Sequence, residues 1–174
     1  MPIRGSQIAA AGLTLHWLLP VPYASATTIH VSETLGSSPG SAPIAVRYER
    51  TLGQPVATFV TRIVYDNTKF SGIVAVPMNG ASCSVNQASG FVRVQGPVGL
   101  TDIPSAVYCN LTVTIAAHVA ANSIVWLTPT LSGPNFSDGG CFDAASMPVN
   151  CVTSAGNVVI NNFPILFFDD FEAF

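Results

Sequence analysis

From Tyr108 to Ile115 the chain alternates apolar and polar residues. Cys109, Leu111, Val113 and Ile115 fall on one side, and Asn110, Thr112 and Thr114 on the other. A side-chain period of two belongs to a strand with one dry and one wet face; a helix repeats every ~3.6 residues. Val56 to Tyr65 has the same character and is rich in β-branched residues. There Ala57, Phe59, Thr61, Ile63 and Tyr65 share one face, and Val56, Thr58, Val60, Arg62 and Val64 share the other. Further strands are expected over 28–32, 44–49, 70–76, 91–95, 124–131 and 157–160. Between them lie Ser37-Ser38-Pro39-Gly40, Asn79-Gly80, Gly96-Pro97 and Gly133-Pro134-Asn135. These are turn signals: glycine supplies positive φ and proline fixes φ. No helical pattern of a dozen residues survives, and Ala116 to Ala121 reads as a turn or a short helical crossing. Many short strands with regular turns give an all-β fold, and two packed sheets are the economical way to bury their dry faces.

Charge narrows the function. Six Lys and Arg stand against nine Asp and Glu, for a net charge of −3, and only 9% of residues are charged. A nucleic-acid binder needs a basic footprint that is missing here. The apolar content is too high for intrinsic disorder.

The N-terminus reads as an export signal. Arg4 supplies the positive region, Ile8 to Val21 contains no Asp, Glu, Lys or Arg, and Ala24-Ser25-Ala26 has the A-x-A cleavage pattern. Pro20 and Pro22 interrupt the apolar run, which is shorter than the ~20 residues a membrane span needs. The expected organisation is a signal peptide over 1–26, one sandwich domain over 27–162 and a tail over 163–174. Maturation at Thr27 leaves 148 of the 174 residues, enough for one core, and removal of Arg4 brings the net charge to −4. No later stretch is long and uncharged enough to cross a bilayer as a helix.

All four cysteines follow the cleavage site. In an exported chain an even count suggests disulfides. Three pairings are possible; neighbours in sequence favour Cys83–Cys109 and Cys141–Cys151. The competing reading, zinc, lacks a CxxC, and only His30 and His118 remain in the mature part. No metal or cofactor is expected.

Catalysis finds little support. His30 and His118 have no triad partner in the pattern, and no G-x-S-x-G elbow is present. Nothing places two of the nine carboxylates together. Asp138-Gly139-Gly140 with Asp143 lacks the regular ligand spacing of a calcium loop and reads as a turn. The segment from Gly133 to Cys151 is poor in β-branched residues and rich in Gly, Ser, Asp and Asn, as functional excursions often are. Phe136, Asp138, Phe142 and Asp143 are therefore the candidate ligand or partner surface. Trp126, the single tryptophan after residue 26, sits in Ile-Val-Trp-Leu and is expected in the core.

The strand ending in Tyr65-Asp66, then Phe70 and the apolar strand Ile73–Val76, resembles the corresponding segment of cohesin domains. Gly90-Phe91-Val92-Arg93-Val94 is similar to their middle strand, and Cys109-Asn110-Leu111-Thr112-Val113 to a late one. The resemblance runs from about Thr28 to Ile160. It implies a nine-strand antiparallel β-sandwich of jelly-roll topology, a fold shared with carbohydrate-binding modules. It also implies a non-enzymatic module binding an extracellular protein partner, as cohesins bind dockerin through one sheet face; the alternative is a polysaccharide-binding module. The two cysteine pairs and the Gly133–Cys151 insertion depart from typical cohesins. Phe167-Phe168-Asp169-Asp170-Phe171-Glu172 is similar to the F-x-D-G-F-E tails of some secreted proteobacterial proteins, with Asp170 in place of the glycine. That likeness implies a bacterial source and a sorting or processing role for the tail.

Overall fold

The computed structural model describes residues 26–51, 53–131 and 139–161. Thirteen strands run through them: β1 (Thr27–Val31), β2 (Thr34–Gly36), β3 (Gly40–Glu49), β4 (Thr58–Tyr65), β5 (Phe70–Pro77), β6 (Ser82–Asn86), β7 (Phe91–Gln95), β8 (Ala106–Ile115), β9 (Ile124–Thr130), β10 (Gly140–Phe142), β11 (Pro148–Val149), β12 (Cys151–Ser154) and β13 (Gly156–Ile160). They form two sheets. One has the order β12-β1-β3-β8-β5. The other runs β6-β7-β4-β9-β13-β2, with β10 and then β11 added beside the early part of β4. The expected all-β sandwich is what forms. It has more strands than nine because several are short and two chain segments are each split between the sheets.

Those split segments close the sandwich edge. The first described segment lies in the first sheet as β1, crosses at Ser32-Glu33 and enters the second as β2. The chain later repeats the manoeuvre, from β12 through Ala155 to β13. β1 pairs with β12 and β2 with β13, both in parallel, so the body is antiparallel and only this seam departs from the expectation. The crossings pack closely. A Cβ on Gly156 would stand 2.3 Å from the Ser32 carbonyl oxygen and 2.5 Å from that of Val31. Only glycine fits without moving backbone.

The alternation read in the sequence sets the core. Cys109, Leu111, Val113 and Ile115 of β8 are buried, and Asn110, Thr112 and Thr114 face solvent. Ile63, Phe59 and Tyr65 of β4 point into the same interior. Tyr48 from the first sheet stacks on Phe59 from the second at 5.6 Å between ring centroids. Tyr108 meets Phe59 edge-on at 5.4 Å. This aromatic trio fills the space between the sheets at one end, where smaller aliphatics would leave a void. Thr61 is buried among apolar neighbours, and its hydroxyl donates to the Thr130 carbonyl.

Both disulfides pair as the spacing favoured. Cys83 on β6 joins Cys109 on β8, and Cys141 on β10 joins Cys151 on β12. Each therefore ties one sheet to the other. Ala116 to Ala121 is a turn rather than a helix.

Candidate functional site

The described part of the Gly133–Cys151 excursion, from Gly139 onward, is anchored more tightly than its composition suggests. β9 pairs with β4 up to Arg62–Thr130, and β10 resumes on the same side of β4 at Val60–Gly140. β10 thus continues the line of β9. Phe136 and Asp138 lie outside the described residues. Phe142 does not form an exposed platform: it is buried. Its ring folds back over Gly140, where a Cβ would stand 3.0 Å from the ring, and its carbonyl accepts from Ala57 N–H. Asp143 is half-buried, and its carboxylate accepts from the Ala145 and Met147 amides, which makes it the organiser of a tight turn. A crevice of about 390 Å³ lies between this turn and the 98–101 loop. It brings Asp143 together with Thr58, Thr101 and Ser146, but with no base or second acid.

The other chemistry-bearing side chains are dispersed. His30 sits on β1, and His118 is exposed in the turn after β8. Asp66 is exposed, and hydrogen bonds from the Thr68 hydroxyl and amide hold its carboxyl below the usual range. Tyr48, Tyr65 and Tyr108 are buried. Burial pushes the Tyr48 phenol up to about 12 and raises the other two. Among the described residues no three His, Cys, Asp or Glu side chains converge.

Trp126 overturns its expectation. It is 53% exposed. Val125 and Leu127 take the inward parity of β9, so Ile124, Trp126 and Thr128 take the outward one. Hydrophobicity alone places this apolar run in the core; the sheet buries only one of its faces.

The outer face of the second sheet then becomes the notable surface. Ile124 is flanked by Val159 of β13, which in turn is flanked by Leu35 of β2. Ile124 is 53% exposed and Leu35 67%. On the other side of β9, Val64 of β4 lies opposite Thr128 and next to Phe91 of β7. Val64, Ile124, Trp126 and Thr128 line one shallow depression, rimmed by Asp66 and Lys69. Arg62 and Arg93 stand directly opposite each other one step further along the sheet. The Arg62 guanidinium lies 5.4 Å from the Phe91 ring centroid, and Arg93 donates to Gln95. A contiguous apolar face with a basic end is the kind of surface that binds macromolecules. By contrast, the outer face of the first sheet is polar along β8, with Asn110, Thr112 and Thr114, mixes Ser41 and Pro43 with Arg47 and Glu49 along β3, and exposes Val74, Val76 and Val152 on its two edge strands.

Comparison with solved structures fits this architecture. The sixth cohesin of scaffoldin B from Acetivibrio cellulolyticus, solved with a dockerin, superimposes with a TM-score of 0.64 at 17% identity. The match covers 79% of this chain and 100% of that one. The chain has a cohesin-like β-sandwich. A Clostridium thermocellum cohesin, solved in a type I cohesin–dockerin complex, gives 0.63 at 14% identity over 78% of this chain and 94% of that one. A non-cellulosomal cohesin from the archaeon Archaeoglobus fulgidus gives 0.53 at 13% identity over 78% and 91%. No family model and no curated protein matches the sequence.

Composition gave no hint of the sheet face because its members are scattered over β2, β4, β7, β9 and β13. The available signal was parity: Ile124 and Trp126 share it with Thr128, a polar residue.

Proposed function

We propose that this chain is an exported, non-enzymatic protein-interaction module. It presents the outer face of the second sheet, centred on Trp126, to a folded protein partner. The exposure of Trp126 beside Ile124 and Val64 on a rigid sheet carries this reading. Large aromatic residues on ordered backbone bring contact area at little entropic cost and dominate many interfaces. The cohesin-like architecture supports it, since cohesins of the same fold were solved bound to dockerins. Export is supported by the N-terminal pattern over 1–26 and by two disulfides, which persist in oxidising compartments. The tail motif supports a bacterial source.

Polysaccharide binding is the weaker reading. Phe142, named above as a candidate surface residue, is buried, and so are Tyr48, Tyr65 and Tyr108.

The test uses the chain from Thr27 onward, immobilised and exposed to secreted proteins, alongside depletion on a panel of insoluble polysaccharides. The expected result is a saturable protein ligand, lost on Trp126→Asp, and no polysaccharide depletion. Depletion competed by soluble sugar, with no protein ligand, would overturn the proposal.

A further inference from the structure

Arg62 and Arg93 occupy directly opposed positions on β4 and β7, an arrangement that like charges disfavour. The one ion pair among the described residues is Arg50 with Asp102, far from this pair in the fold. Arg62 Nε is buried with no hydrogen-bond partner. Lys69 stands on the rim of the depression beside Asp66, so three of the five basic residues that follow Ala26 belong to this one face, against a single carboxylate on that rim. Two arginines beside Phe91, Val64 and Trp126 fit an extended peptide that is apolar first and acidic afterwards.

The chain contains such a peptide. Residues 162–174 read N-F-P-I-L-F-F-D-D-F-E-A-F, with six apolar side chains before Asp169-Asp170 and Glu172. We infer that this tail folds back over the outer face of the second sheet, with its acidic run at Arg62 and Arg93. The register supports the reach. β13 ends at Ile160, and Ile160 N–H donates to the Ser123 carbonyl, so the tail leaves beside the start of β9. Thr130, the partner of Arg62, is seven residues further along β9, about 23 Å at ~3.3 Å per residue. Crossing from β13 to β4 adds about 10 Å sideways, two strand spacings of ~4.8 Å. The straight-line distance is therefore about 25 Å. β13 runs antiparallel to β9, so the tail leaves heading away from Thr130 and must first reverse. With about three residues spent in that turn, Asp169 to Glu172 lie about five to eight residues along the face, about 17 to 26 Å when extended, and the arginine side chains reach the rest. On that path Phe167 and Phe168 come level with Trp126, and the acidic run begins beside Val64 and Phe91. Any partner that uses the face must displace the tail. The inference concerns the surface named under the proposed function, but docking of the tail is measured with no partner present and stands or falls separately.

Trp126 is the reporter. The experiment uses the chain from Thr27 onward, in which Trp126 is the one tryptophan. Emission wavelength and acrylamide quenching are compared with a variant that also carries Phe167→Ser, Phe168→Ser, Asp169→Asn and Asp170→Asn. Melting curves check that both are folded. The expected result is a red shift and a several-fold rise in quenching in the tail variant. Arg62→Glu with Arg93→Glu should produce the same change, and adding Asp169→Lys with Asp170→Lys should reverse it. Equal emission and quenching in all folded variants would overturn the inference. So would shielding that disappears on dilution, because the tail would then be covering a second copy.

Discussion

Removing the two disulfides one at a time should destabilise the fold by different and calculable amounts. Both bridges join the two sheets, so their native roles are alike, and the difference lies in the unfolded chain. Cys83–Cys109 spans 26 residues and Cys141–Cys151 spans 10. Loop-closure entropy gives roughly 3.5 kcal/mol for the longer loop and roughly 2.7 for the shorter at 25 °C. The gap of about 0.8 kcal/mol follows from the logarithm of the length ratio and needs no assumption about contacts. Alanine pairs are the suitable replacements, since Cys109 and Cys141 are buried and a serine hydroxyl there would lack a partner. Urea unfolding followed by circular dichroism, with m-values compared, reads both costs. Together they approach the whole stability of an ordinary domain, about 5–15 kcal/mol, so the chain lacking both bridges should be largely unfolded at 37 °C. Equal costs, or a larger cost for the short loop, would refute the entropic reasoning and place the stabilisation in native contacts.

Other outcomes follow from single positions. Gly156→Ala drives a methyl into the Ser32 and Val31 carbonyls and should cost about 3 kcal/mol or more, read as a lowered urea midpoint. Trp126→Ala should cost no more than about 1 kcal/mol while its neighbour Leu127→Ala costs about 2–5, because only the second empties core volume. Tyr48 has its phenol raised from 10.0 to about 12 by burial, so its neutral form is favoured in the folded state. That contribution is intact below pH 10 and is lost as pH rises towards 12, by roughly 3 kcal/mol. Tyr65 and Tyr108 act in the same direction. Melting temperature measured from pH 8 to 12 should fall above 10, and more shallowly in Tyr48→Phe.

Where two faces of a strand differ, the sequence was legible. β8 and β3 carry their inward residues at every second position, and β7 and β13 lie within a residue of where alternation and turns placed them. β6 went unread because Ser82–Asn86 is an exposed edge strand in which only Cys83 packs on the core. β2, β10, β11 and β12 are two to four residues long and owe their pairing to tertiary neighbours, which no local pattern announces. The cysteine pairing was readable because sequence neighbours here are also facing strands. The site was harder. Hydrophobicity alone puts Trp126 in the core, although its parity with Thr128 points outward. The polar surroundings of Phe142 point to the surface, whereas β10 continues the line of β9 and tucks the ring over a glycine.

Face-directed substitution decides whether the second sheet is the interaction surface. Binding of the captured partner is measured for the unaltered chain, for Trp126→Asp on the second sheet and for Thr112→Asp on the first. The expected outcome is near-unaltered affinity for Thr112→Asp and at least a ~30-fold loss for Trp126→Asp, about 2 kcal/mol, as for a buried aromatic anchor. Loss with Thr112→Asp and retention with Trp126→Asp would move the interface to the other sheet and contradict the reading.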